Sequence, residues 1–195
     1  LLLGKHLNNF EKKLSDLLGS KHVLGVANGT DALELSINSL NPPKNSEIIT
    51  TSNTFVSTVN SIINVGCKPV FADIDSSYNI DPNRIEKHIN KNTFAIMPVH
   101  LNGLPACMNK IRKISKKFNL HIIEDAAQSI LSKYDGKYIG NQKNLACFSM
   151  HPTKNLGVLG DGGFISTNDK SLFEKLKLLR NHGLKNGKSI MIGRN

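Results

Sequence analysis

Seven short runs of apolar and β-branched residues recur along the chain, each four to six residues long. They lie at residues 23–27, 47–51, 69–72, 94–99, 120–124, 145–150 and 163–167. Runs of this length and composition, bounded by polar and turn-forming residues, are typical of buried β-strands.

Most segments between these runs have apolar residues at helical spacing. Helices are predicted at 10–18, 32–40, 55–65, 82–89, 109–118 and 170–180, and a weaker one at 126–132. Alternation of strands and helices favours a parallel sheet with helices on both of its faces.

The last two runs are joined differently, by a loop rich in proline and glycine at residues 151–162. A parallel crossover normally needs a helix-sized connection, so the seventh strand is expected to be antiparallel. Because no repeat or linker divides the chain, we predict one α/β domain over residues 1–195. It has three layers (α/β/α) and a mainly parallel seven-stranded sheet.

Composition narrows the class of protein. The chain has 195 residues, 39% of them hydrophobic and 21% charged, and no apolar run long enough to span a membrane. Cys67, Cys107 and Cys147 form no CxxC pair, which favours buried free thiols in a reducing cytoplasm. The seven histidines have no metal-ligand spacing, so no metal site is expected.

The formal net charge of +10 raises the question of nucleic-acid binding. The lysines, however, are spread along predicted helices, as between Lys110 and Lys117, and no aromatic residues alternate with them. We interpret the basicity as solvated helix faces and attraction for anionic small molecules. Nucleic-acid binding is the less favoured alternative.

Several residues that could bind a ligand or take part in catalysis lie just after predicted strands. In open α/β sheets, ligands bind at these carboxyl ends of the strands. Residues 28–33 (NGTDAL) place Gly29 and Thr30 at the start of a helix, where backbone amides and the helix dipole favour a phosphate. The alternative is an ordinary helix start, with Thr30 or Asp31 as its cap.

Asp125 follows an apolar run and Gln128 comes three residues later. A strand-end acid can keep a pyridine nitrogen protonated, and Gln128 could reach the 3′-oxygen of the same ring. Phe55, after another strand, could stack on that ring. The alternatives are a structural acid that caps a helix or pairs with a lysine, and a phenylalanine packed in the core.

Lys154 lies in the proline- and glycine-rich loop, and Ser149 precedes it by five positions. A surface lysine is the default interpretation. Together with a phosphate-binding turn and a strand-end aspartate, however, a lysine completes the set of groups that binds pyridoxal phosphate (PLP). PLP needs a lysine for its aldehyde, an acid for its pyridine nitrogen and donors for its phosphate.

These residues together resemble the DegT/DnrJ/EryC1/StrS family of PLP-dependent sugar aminotransferases, which have the fold type I architecture. The most distinctive motifs are NGTDAL at 28–33, EDAAQ at 124–128 and FSMHPTK at 148–154. Further stretches match at 10–19, 54–58, 66–75, 99–103, 160–163 and 179–183. Their joint order and spacing make the resemblance specific.

The resemblance implies that Lys154 binds the cofactor aldehyde and moves protons, and that Asp125 partners the pyridine nitrogen. It also implies Gln128 at the 3′-oxygen, Phe55 against the ring, and Gly29, Thr30 and Ser149 at the phosphate. Asn195 would reach the phosphate of a partner subunit, which implies a homodimer with shared active sites.

The implied reaction transfers an amino group from an amino acid, expected to be glutamate, to a keto-sugar that is usually nucleotide-linked. Such reactions supply amino sugars for cell-surface polysaccharides. Two alternatives stay open: a PLP-dependent sugar dehydratase, and a non-catalytic PLP-binding fragment. Because the dehydratases of the family have histidine in place of the lysine, Lys154 favours amino transfer.

The chain also departs from the family pattern. The stretch before Gly4 and the small C-terminal domain are missing, so we expect residues 1–195 to be a PLP-binding large domain truncated at both ends. Cys107 stands where many members have aspartate, which predicts the loss of a local hydrogen bond or helix cap.

Overall fold

The structure, a computed structural model, describes residues 3–185 and 187–194. Its helices are Lys5–Leu18 (α1), Gly29–Ser39 (α2), Val56–Asn64 (α3), Pro82–Ile85 (α4), Met108–Phe118 (α5) and Lys170–Arg180 (α6). Its strands are His22–Val26 (β1), Glu47–Thr50 (β2), Lys68–Phe71 (β3), Thr93–Ile96 (β4), His121–Asp125 (β5), Lys133–Tyr134 (β6), Lys137–Tyr138 (β7), Leu145–Ser149 (β8), Gly163–Thr167 (β9), Leu184–Lys185 (β10) and Lys188–Ser189 (β11).

All seven predicted strands belong to one sheet, in the order β1-β9-β8-β5-β4-β2-β3. The pairs from β3 through to β8 are parallel, whereas β9 is antiparallel to both of its neighbours, β8 and β1. The prediction of a mainly parallel seven-stranded sheet with an antiparallel last strand is therefore confirmed.

Helices cover both faces of the sheet because alternate strand residues point to opposite sides. Ile48 packs in a core beneath α2, α3 and α6, while its neighbour Ile49 packs beneath α4 and α5. On that second face, α1 packs over Phe148 and Phe164, whose rings stack 4.4 Å apart. The predicted three-layer architecture is thus present.

The weak helix predicted at 126–132 is wrong. Successive turns occupy this stretch, with Ser129 N–H donating to the carbonyl of Ala126 and Leu131 in the left-handed conformation (φ 63°). A bulky residue in that conformation cannot continue a right-handed helix. Strands β6 and β7 follow as a small separate hairpin.

Within residues 3–185 and 187–194, no helix combines the length and hydropathy that crossing a membrane requires. Cys67 and Cys147 are buried free thiols, as predicted, whereas Cys107 is half-buried.

Cys107 occupies the N-cap position of α5, yet its side chain makes no capping hydrogen bond. The Tyr134 hydroxyl accepts the N–H of Asn109 instead, at 3.2 Å. We expect Cys107→Asp to raise the free energy of unfolding by about 0.5–2 kcal/mol, because a carboxylate there can accept a first-turn N–H and favours the helix dipole. Denaturant midpoints measure the change. Cys107→Ala is the control, and an aspartate variant no more stable than the alanine variant would contradict the expectation.

Candidate active site

A cavity of about 470 Å³ opens where β5 and β8 end and α2 begins. Every predicted site residue that the structure describes lines it, namely Gly29, Thr30, Phe55, Asp125, Gln128, Ser149 and Lys154. Asn195, the remaining predicted residue, lies outside the described residues. Residues far apart in the chain thus converge on one cavity, as the rule for strand ends predicts.

Asp125 ends β5 and is 5% exposed. Its Oδ2 accepts a hydrogen bond from the Thr58 hydroxyl at 2.6 Å, and its Oδ1 accepts the N–H of Ala127 at 3.1 Å. Thr58 Oγ1 also lies 2.6 Å from Thr54 Oγ1. Since the Thr58 hydrogen is directed to Asp125, Thr54 is the donor of that second bond.

Burial raises the pKa of Asp125, while the hydrogen bonds from Thr58 and Ala127 and the charge of Lys154 act in the opposite direction. Desolvation is the largest of these effects, so the carboxylate is costly to ionise in this position. A cationic group inside the cavity would stabilise the ionised form.

A fully buried pair, His100 and Glu124, holds the backbone around Asp125. His100 N–H donates to the carbonyl of Asp125 at 3.0 Å, and His100 Nε2 lies 2.8 Å from Glu124 Oε2. Because His100 Nδ1 accepts the N–H of Ala106, the ring hydrogen must be on Nε2 and points to the carboxylate. The pair positions β5 from the side of the sheet opposite the cavity.

The first turn of α2 forms another wall. Asn28, in extended conformation, caps the helix by accepting the N–H of Asp31 at 2.8 Å. The alternative that Thr30 or Asp31 is the cap is therefore wrong, since the cap is the last residue before the helical turn. The N–H groups of Gly29 and Thr30 have no acceptor within the helix, as at any helix start.

Gly29 also lies against the end of β8. A Cβ at this position would be 2.8 Å from the Cβ of Ser149, closer than side chains tolerate. The absence of a side chain at Gly29 therefore allows the amides of α2 and the Ser149 hydroxyl to face the same part of the cavity.

Lys154 lies in the loop after β8, where its N–H donates to the carbonyl of His151 at 2.8 Å. Among the described residues, its ammonium has neither a salt bridge nor a hydrogen bond, although Asp125 is near enough for their charges to interact. Lys154 lines the cavity, which favours the interpretation as a cofactor-binding lysine over that as an ordinary surface lysine.

Gln128 lies in a turn and not on a helix. Its Oε1 accepts the backbone N–H of Asn102 at 2.8 Å, and since that group can only donate, the amide orientation is fixed with its NH₂ end free for a ligand. Phe55 is 66% exposed at the N-cap of α3, so the alternative of a core phenylalanine is wrong.

The residues present fit PLP. The cavity has the size of a typical cofactor site, and it presents a lysine, a buried acid that forms no salt bridge among the described residues, and the first N–H groups of a helix beside a hydroxyl. Among the described residues, by contrast, no three potential metal ligands cluster.

The sequence interpretation gave no role to Thr58 or Asn28. Thr58 is a buried hydroxyl on α3, one turn after Thr54, on a helix whose other inward residues include Ile62. A threonine four residues after Thr54, on the inward face of the helix that follows β2, could have been considered as a hydrogen-bond donor to the site. The N-cap at Asn28 could have been predicted, because asparagine is among the residues preferred at the position before the first helical residue, here Gly29.

The family model of the DegT/DnrJ/EryC1/StrS aminotransferase family matches residues 1–195. The chain is 45% identical over 183 residues to dTDP-3-amino-3,6-dideoxy-alpha-D-galactopyranose transaminase of Aneurinibacillus thermoaerophilus, covering 93% of this chain and 50% of that protein. The chain spans about half the length of the curated relatives it matches.

Solved structures are similar as well. DesV of S. venezuelae, in complex with a ketimine intermediate, has a TM-score of 0.96 and 37% identity, covering 100% of this chain and 53% of that one. NtdA of Bacillus subtilis, with its cofactor PMP bound, has a TM-score of 0.91 and 36% identity, covering 97% and 44%. These neighbours support pyridoxal phosphate as the cofactor of this fold.

Proposed function

Because the chain belongs to the DegT/DnrJ/EryC1/StrS aminotransferase family, we propose that it is the PLP-binding large domain of a sugar aminotransferase. The enzyme containing it moves an amino group from glutamate to a nucleotide-linked keto-sugar, in the biosynthesis of amino sugars for cell-surface polysaccharides. Since the chain spans half of its relatives, this activity is proposed for that whole enzyme and not for the domain alone.

The observation that carries the proposal is the convergence of Lys154, Asp125 and the start of α2 on one cavity. Each group alone has an ordinary structural explanation. Their convergence at the strand ends has no such structural explanation, because α2, β5 and the loop after β8 come from separate parts of the chain.

The proposed binding roles follow the geometry. The buried carboxylate of Asp125 holds a proton on the pyridine nitrogen, the Gln128 amide donates to the 3′-oxygen and Phe55 covers the ring. Gly29 and Thr30 N–H groups and the Ser149 hydroxyl bind the phosphate, as helix starts do. Asn195 is proposed to bind the phosphate of a partner subunit, which makes the enzyme a homodimer.

Lys154 is the proposed catalytic residue. PLP, when bound, supplies the aldehyde and an electron-withdrawing ring. The Lys154 amine would bind that aldehyde, and its Nζ would accept and then return the proton that amino transfer moves. It is thus proposed as a general base and then a general acid, and its Nζ makes no hydrogen bond or salt bridge with the described residues that would prevent either role.

Location follows from the chemistry of the substrates. We propose that the enzyme works in the cytoplasm, where nucleotide-linked sugars are made and where free thiols such as Cys67 and Cys147 stay reduced.

The test is an amino-transfer assay on the whole enzyme with PLP, glutamate and a panel of nucleotide-linked keto-sugars. We expect formation of 2-oxoglutarate in one-to-one ratio with an amino-sugar nucleotide, and dependence on PLP. Loss of water from the sugar without consumption of glutamate would indicate a dehydratase. PLP binding without either reaction would indicate a non-catalytic protein.

A further inference from the structure

Residues 190–194 fold back against the end of α6, and Arg194 is held there by its backbone. Its N–H donates to the carbonyl of Leu179 at 2.7 Å, and its carbonyl accepts the N–H of His182 at 2.7 Å. With its backbone held in this way, the Arg194 side chain reaches α2.

The guanidinium group of Arg194 contacts two acids on α2. Its Nη1 lies 3.5 Å from Asp31 Oδ1 and forms a closer ion pair with Glu34 Oε2. Glu34 is almost fully buried, and its other oxygen accepts the side-chain amide of Asn64 at 2.8 Å. Among the described residues, Arg194 is the only cation that forms an ion pair with either acid.

The negative charges of Asp31 and Glu34 disfavour the binding of an anion at the start of α2. Asp31 belongs to the first turn of the helix and lines the cavity together with Gly29 and Thr30. Burial raises the pKa of Asp31, the charge of Arg194 acts against this, and the charge of Glu34 adds to it. Two carboxylates without a cation would repel a phosphate at this position.

We propose that Arg194 is a positioning residue for the cofactor phosphate, because its guanidinium neutralises Asp31 and Glu34 beside the amides that bind the dianion. The proposal rests on the proposed function, in that α2 must bind the PLP phosphate. According to this proposal, the segment that follows α6 affects the affinity for the cofactor through the charge of Arg194, and Arg194 need not contact the cofactor itself.

The experiment measures the dissociation constants of PLP and of pyridoxal, which lacks the phosphate, by absorbance titration of the chain. We expect Arg194→Gln to weaken PLP binding by about tenfold at low salt, with a smaller effect at high salt. Pyridoxal binding should be unchanged. Asp31→Asn in the unaltered background should tighten PLP binding, and in the Arg194→Gln background it should restore most of the loss.

Two further variants separate charge from structure. Arg84→Gln removes the same charge from α4, on the other face of the sheet, and should leave PLP affinity unchanged. Arg194→Lys keeps the charge and should keep PLP affinity close to that of the unaltered chain. Thermal midpoints of all variants report whether each one folds.

Equal losses for PLP and pyridoxal in Arg194→Gln would overturn the proposal, because Arg194 would then only hold the segment in place. Weaker PLP binding in Asp31→Asn would overturn it too, and this variant remains decisive if Arg194→Gln does not fold. Failure of the unaltered chain to bind PLP or pyridoxal would instead count against the proposed function.

Discussion

Lys154→Ala is expected to abolish covalent attachment of PLP to this chain. The unaltered chain, incubated with PLP and reduced with borohydride, should gain the mass of the cofactor on the peptide that contains residue 154, and its visible absorbance band should be lost on reduction. The alanine variant should show neither change, since Lys154 is the only lysine among the described residues that line the cavity. In the whole enzyme, turnover should fall by roughly 10²–10⁴-fold or more, the range of a lost general acid–base group.

Lys110→Ala is the matched control, since it removes an exposed lysine from α5, away from the cavity. We expect it to keep the band, the trapped mass and the turnover. Trapping of PLP at another lysine in the Lys154→Ala variant would show that the loop after β8 is not the attachment site. The surface-lysine interpretation would then be correct.

The strands of this fold were predictable because their signal is local. Short, largely apolar runs mark the seven strands of the main sheet, and β9 begins and ends at the predicted residues, 163 and 167. The predicted strand 94–99 is the least accurate, since β4 ends at Ile96. Pro98 has no N–H to continue the ladder, and pairing resumes only as a single bridge between Val99 and Asp125.

The wrong helix at 126–132 shows where local signals fail. Gln128 bonds to Asn102 and the Ser132 hydroxyl donates to the carbonyl of Gly103, so both partners lie more than twenty residues away. These tertiary bonds stabilise a chain of turns that the spacing of apolar residues alone does not reveal.

Some contacts of the candidate site were likewise predictable from the sequence, and others were not. Lys154, Asp125 and Thr30 could be predicted to meet, because the carboxyl ends of parallel strands share one edge of the sheet. The hydrogen bond from Thr58 to Asp125 and the ion pairs of Arg194 could not be predicted, since Thr58 lies within α3 and Arg194 follows α6, away from the predicted strand ends. Pairings of this kind depend on the three-dimensional arrangement and not on sequence spacing.

Asp125→Asn should raise the stability of the chain without cofactor and lower its function. Burial raises the pKa of Asp125 in the folded state, so between its ordinary value and the raised value the folded chain binds more protons than the unfolded chain. Ionisation of Asp125 therefore costs stability as the pH rises through the raised pKa. Asparagine removes that cost and can still accept the N–H of Ala127.

At neutral pH we expect the thermal midpoint of the cofactor-free variant to rise by about 2–4 °C, the size that roughly 1 kcal/mol produces in a domain of this length. The advantage should shrink as the pH falls through the raised pKa of Asp125 towards its ordinary value of 3.8, because the folded aspartate then takes up its proton. With PLP the order should reverse, because asparagine cannot hold a proton on the pyridine nitrogen. Turnover of the whole enzyme should fall by roughly a hundredfold or more.

Asp16→Asn, at an exposed position of α1, makes the same change in net charge and should alter neither midpoint nor turnover appreciably. The opposite signs expected for Asp125→Asn without and with PLP distinguish a functional acid from a structural one. A structural acid contributes to the folded chain regardless of the cofactor, so its replacement would lower stability in both states. A drop in the midpoint of the cofactor-free variant at neutral pH would therefore assign Asp125 to the structure and not to the pyridine nitrogen.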